Sequence, residues 1–115
     1  MDIPKIFETE YRFCEIVWEV QPIKSMELAK ICKERLGWSK STTYTVIKRL
    51  IERGVIKNEN TLVSACVSKE EVQVSEIDEL VEKKFEGSVP AFVATFARNV
   101  KLSEKEKEEI RKLLE

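Results

Sequence analysis

At 115 residues the chain has room for one small domain and an appendage, and too little for two independent cores. Its 43% hydrophobic and 36% charged residues, with only three Gly and three Pro, exclude a disordered chain or a small secreted scaffold and point to a helix-rich globular protein. The formal net charge of −1 excludes a generic polyanion binder, so the charge has to be read segment by segment.

Residues 1–60 carry a net +2 and residues 61–115 a net −3. Between Lys40 and Lys57 five basic residues stand against the single acidic Glu52, the one clear basic concentration. Three cysteines, Cys14, Cys32 and Cys66, are odd in number and widely spaced, and histidine is absent, so neither a disulfide framework nor a zinc site is suggested. No run approaches the roughly 18 apolar residues of a membrane span, and the first ten residues lack a signal-peptide core. A cytoplasmic address without membrane insertion is expected.

Tyr11, Cys14, Val17 and Trp18 recur at helical spacing until Gln21-Pro22 interrupts them, which predicts a first helix. Ser25 is the expected cap of a second, whose apolar stripe Leu28, Ile31, Cys32 and Leu36 ends before Gly37. A polar Ser39-Lys40-Ser41 turn leads to a third helix over 42–53, with Thr43, Val46, Ile47 and Leu50 on one side and Gly54 as its left-handed stop. Val55-Ile56-Lys57 and residues 62–67 are β-prone runs around Asn58-Glu59-Asn60-Thr61, and read as a hairpin. Three helices followed by a hairpin is the order of a winged helix-turn-helix.

Ser68 with Glu71, and Ser103 with Glu106, have the spacing of capping boxes that open two further helices. Glu86-Gly87 stops the first of these, and Ser88-Val89-Pro90 starts another. The expected fold is therefore mainly α: a winged helix over 1–67 followed by a helical dimerisation arm over 68–115. Ile77, Leu80, Val81, Phe85, Phe92, Val93, Phe96, Val100, Ile110, Leu113 and Leu114 supply more apolar surface than such an arm buries alone. A twofold copy offering the same surface is the economical cover, so a homodimer is expected.

With 43, 46, 47 and 50 turned inward, Ser41, Tyr44, Thr45 and Lys48 fall on the outward face of the third helix. Hydroxyl and ammonium groups on such a face reach base edges in the major groove, and an aromatic ring packs on a thymine methyl. Lys40, Thr42, Arg49, Arg53 and Lys57 lie around it, suited to the phosphate backbone of double-stranded DNA. The absence of histidine, of a glycine-rich phosphate loop and of a nucleophile motif leaves no enzyme reading and no cofactor.

Ile3-Pro4-Lys5-Ile6, Glu8-Thr9-Glu10-Tyr11, Val17-Trp18-Glu19 and the run Trp38 to Leu50, together with Val67 to Glu71, Phe85-Glu86-Gly87-Ser88 and Leu102 to Leu114, resemble the penicillinase-repressor family over nearly the whole chain. That resemblance implies a dimeric repressor on palindromic operators near resistance or copper-handling genes, with a membrane sensor and a linked protease as release partners. Thr95-Phe96 stands where the penicillinase branch carries its Asn-Phe cleavage site, and no cysteine follows Cys66 to build the copper branch's site. The wing is short and carries Glu59. The function expected is sequence-specific repression by a homodimer on a pseudo-palindromic operator of resistance or stress genes; the alternative is a winged-helix protein-interaction module without specific DNA binding.

Overall fold

The computed structural model describes residues 2–115; Met1, at which the expected winged helix begins, lies outside the described residues. Helix α1 (Glu8–Val20) starts without a side-chain cap, because Phe7 at the cap position has no oxygen to offer. Glu10 supplies the other half of the motif: its Oε1 accepts the Phe7 amide at 2.9 Å.

Two residues, Ile23–Lys24, then form strand β1, ahead of α2 (Ser25–Leu36). The expected Ser25 cap is not formed. Lys24 holds the cap position without a side-chain bond, and the Ser25 amide donates instead to the Thr61 carbonyl at 3.2 Å. Pairing of β1 into the sheet fixes this helix start, a non-local cause that side-chain spacing does not reveal. Gly37, before which the apolar stripe is expected to end, closes α2 in a left-handed turn at φ +69°.

Helix α3 (Lys40–Glu52) begins two residues before the expected start, since Ser39 is the cap and its Oγ accepts the Thr42 amide at 3.1 Å. Strands β2 (Ile56–Glu59) and β3 (Leu62–Ala65) make the hairpin, and the sheet order is β1-β3-β2, antiparallel throughout. Its turn is narrower than the four residues expected: only Asn60 and Thr61 lie between the strands, with φ of 54° and 65°. Two successive left-handed residues give the mirror-image turn whose twist matches a hairpin. Asn tolerates that geometry; a β-branched Thr is strained in it.

The chain divides into two compact units, one up to Ser75 and one from Glu76. In the first, Phe13, Cys14, Val17, Leu28, Cys32, Leu50, Val55 and Val63 are wholly or almost wholly buried. Phe13 stacks on Trp38 with ring centroids 5.8 Å apart, and Trp18 Nε1 donates to the Val67 carbonyl at 2.9 Å. A buried carboxylate ties this core to the segment before it. Glu10, 3% exposed, receives the Phe7 amide and the Arg53 guanidinium and lies 3.6 Å from Arg49. Arg53 also donates to the Lys5 carbonyl at 2.9 Å and sits over the Phe7 ring. Burial raises the proton affinity of Glu10, but the Phe7 amide, Arg53 and Arg49 outweigh it and hold the carboxyl below its ordinary 4.5.

Helices α4 (Lys69–Lys84), α5 (Val89–Asn99) and α6 (Glu104–Leu113) complete the chain. Both capping boxes form, Ser68 with Glu71 and Ser103 with Glu106, each with its two bonds at 2.9–3.1 Å. Glu86 and Gly87 take positive φ, and Ser88 Oγ caps α5 through the Ala91 amide at 3.1 Å. Within the second unit Phe85 and Phe92 meet edge to face at 5.4 Å, and Val81 is buried.

Replacing Thr61 with Gly removes a left-handed strain of about 1–2 kcal/mol, so Thr61→Gly raises the urea midpoint read by tryptophan fluorescence; a lowered midpoint contradicts the turn assignment. Glu10→Gln costs about 1.5–3 kcal/mol at neutral pH through its charge-assisted hydrogen bonds. Because the folded carboxyl titrates below 4.5, its stabilisation is complete above that value and is lost as pH falls through the folded pKa. The stability gap between the parent and Glu10→Gln therefore narrows on acidification, and a constant gap from pH 7 to pH 3 refutes the assignment.

Candidate nucleic-acid interface

Helix α3 sorts its side chains by period. Thr43, Val46, Ile47 and Leu50 are buried, while Ser41, Thr45 and Lys48 are exposed and Tyr44 is half-buried against the core edge. The Thr45 hydroxyl donates to the Ser41 carbonyl at 3.0 Å, which leaves its oxygen free to accept. Lys40 Nζ lies 5.9 Å from the centre of the Tyr44 ring, a cation-π contact on the same face. Lys48 has no ion-pair partner among the described residues.

A shallow groove of about 370 Å³ runs along this helix, lined by Thr9, Trp38, Ser41, Thr42, Thr45 and Arg49 among others. Its polar lining is four hydroxyl side chains and one guanidinium. Thr42 Oγ1 shares a 2.9 Å hydrogen bond with Ser39 Oγ, so its position is tied to the cap of the helix.

The five residues expected to meet phosphates stand differently. Lys40 and Thr42 sit at the exposed start of α3 and Arg49 flanks the groove, its charge shared with Glu10. Arg53 is turned away into the Glu10 bracket and is 27% exposed. Lys57, on β2, pairs with Glu59 of the same strand at 3.4 Å. Sequence reasoning passed over Lys24, Lys30 and Lys33, which have no ion-pair partner among the described residues. Glu27 and Glu34 stand three and four positions from Lys30, a spacing that suggests neutralisation, yet neither pairs with it.

The two cysteine thiols of the core are buried and held in the protonated form. Burial, reinforced by the Glu10 charge, pushes Cys14 up to about 12, and burial raises Cys32 as well, against a smaller opposing effect of the Thr43 hydroxyl. Cys66 is exposed.

In the second unit, of the residues expected at a dimer contact, Val81 is buried, Phe85, Phe92 and Ile110 are half-buried, and Ile77, Leu80, Val93, Phe96, Val100, Leu113 and Leu114 are exposed on the single chain. No helix among the described residues is long and apolar enough to cross a membrane.

The chain is 25% identical over 114 residues to the methicillin resistance regulatory protein MecI of Staphylococcus aureus strain Mu50, covering 96% of this chain and 93% of that one. It is 25% identical to the penicillinase repressor of Bacillus licheniformis over 98% of this chain and 91% of that one, and 25% identical to the penicillinase repressor of Staphylococcus aureus over 96% and 90%. The family model for penicillinase repressors matches residues 6–115, and so the chain belongs to the penicillinase repressor family.

Proposed function

We propose that the protein is a cytoplasmic transcriptional repressor, not an enzyme, that binds DNA as a homodimer on a pseudo-palindromic operator of resistance or stress genes. The observation that carries the reading is the outward face of α3, where Ser41, Tyr44, Thr45 and Lys48 stand together in a winged-helix frame. The relatives, which include two penicillinase repressors, support repression as its outcome.

A helix in the major groove presents such residues to base edges. Lys48 donates to an acceptor, the Ser41 hydroxyl accepts or donates, the Thr45 hydroxyl accepts, and Tyr44 packs on a thymine methyl or a sugar. Lys40, Thr42, Arg49 and Lys57 hold phosphates, and Arg53 acts from behind by bracing Arg49 through their common partner Glu10. Homodimerisation is supported by apolar side chains exposed in a unit of only forty residues, among them Phe96 at 40% and Leu113 at 81%. A twofold contact covers the same patch on both copies. A sensor-linked protease that releases the operator belongs to the same reading.

Selection of bound duplexes from a random pool tests this directly. An inverted repeat is expected, with affinity falling by roughly a thousandfold between 50 and 200 mM salt for about six phosphate contacts. Lys48→Ala is expected to cost about 1–3 kcal/mol on the best operator and to change the preferred bases. Replacing Phe92 and Phe96 together by Ala shifts sedimentation toward monomer. A pool with no enriched sequence favours the protein-interaction module instead.

A further inference from the structure

Between α2 and the start of α3 lies a second concavity, of about 250 Å³, whose lining includes Met26, Ala29, Lys30, Lys33 and Lys40. Three of its five residues are lysines, and none of the three has an ion-pair partner among the described residues. The four arginines of the first unit, by contrast, are all paired with carboxylates.

Two separate features leave positive charge uncompensated here. Lys30 and Lys33 are three apart on α2, neighbours of like charge on one helix surface. Lys40 is the first residue of α3, at the positive end of the helix dipole, and the first turn of α3 contains no acidic residue to offset it. One anion in the concavity relieves both. Its remaining wall is apolar, formed by Met26, which is 58% exposed, and Ala29, which is almost buried. A phosphate of the DNA backbone has no use for such a wall, whereas an anion with an attached hydrocarbon does. The volume lies below the roughly 300–1,000 Å³ of pockets for drug-sized ligands, so the ligand is small.

We propose that this concavity binds a small amphipathic anion, its phosphate or carboxylate among Lys30, Lys33 and Lys40 and its apolar part on Met26 and Ala29. Lys40 also contacts the Tyr44 ring, so the ligand draws off a cation of the proposed reading face and opposes DNA; this consequence rests on the DNA-binding reading, and the seat itself does not.

Phenyl phosphate is the probe, titrated into the full chain labelled with nitrogen-15. Saturable amide shifts are expected around residues 26–33 and 40, with inorganic phosphate and phenol each at least tenfold weaker. The variant K30Q/K33Q, at exposed positions, is expected to keep the parent's amide spectrum and to lose at least tenfold in phenyl phosphate affinity. Absence of saturable shifts overturns the proposal, as does equal binding of inorganic phosphate, or a folded K30Q/K33Q that binds as the parent does. Saturating phenyl phosphate is expected to weaken duplex binding at least fivefold in the parent and less than twofold in the variant. Shifts without any duplex binding in the first place would uphold the seat and refute the DNA reading alone; duplex binding untouched by a saturated seat would overturn the antagonism.

Discussion

Three parts of the first unit meet on the carboxylate of Glu10. It takes the amide of the residue that opens its own helix, and it takes a guanidinium from Arg53, which caps the end of the helix proposed to read DNA. Arg53 passes the connection on to the Lys5 carbonyl, so the segment before α1 is held by the far end of α3. A charge this deeply buried is expensive to desolvate, and its ion pairs do little more than offset that cost. What it contributes is geometry: only one placement of α3 against α1 satisfies every donor at once. The outward direction of Ser41, Thr45 and Lys48 follows from that placement.

The core reinforces the same choice with less specificity. Apolar contacts between α1, α2 and α3 tolerate small rotations; a carboxylate with three partners does not. Phe13 against Trp38 fixes the loop into α3, and the Trp18 indole bonded to Val67 fixes the exit of the wing. The loop before α3 and the chain leaving the hairpin are therefore each held by a tryptophan.

Legibility in the sequence followed the range of the interaction concerned. The Ser68–Glu71 and Ser103–Glu106 boxes and the glycine stops at Gly37, Gly54 and Gly87 depend on residues within a few positions, and spacing alone disclosed them. Ser25 failed as a cap because Ile23–Lys24 is claimed by β3, nearly forty residues away, and no local pattern marks a two-residue strand. Phe13 escaped because the run from Tyr11 to Trp18 holds apolar residues at almost every position, which blurs the buried face. Glu10 reads as an ordinary first-turn acid; its burial depends on Arg49 and Arg53, some forty positions on. The outward face of α3 was legible because the inward residues around it are unambiguous. Which cations stay free was not, since charge spacing along one helix does not decide which ion pairs form.

On the proposed reading a chain of net charge −1 meets a polyanion, and which cations are free then matters more than the net count. In the first unit Arg12, Arg35, Arg49 and Arg53 are each paired with a glutamate, Arg35 to Glu19 through both of its terminal nitrogens. Lys24, Lys30, Lys33 and Lys48 are unpaired among the described residues, and Lys40 has only its ring contact. Apart from Arg49, which also borders the groove, the guanidiniums are engaged within the chain, and the mobile, hydrated ammonium is left for the outside. On the proposed reading, a helix face with hydroxyls, one tyrosine and one lysine lacks the bidentate arginine that most often selects guanine. Its discrimination then comes from single donors and from packing on thymine methyls, each worth less than a bidentate contact. Specificity of that kind has to be gathered over two half-sites, so the proposed reading requires the second copy for recognition as well as to cover the apolar face of the second unit.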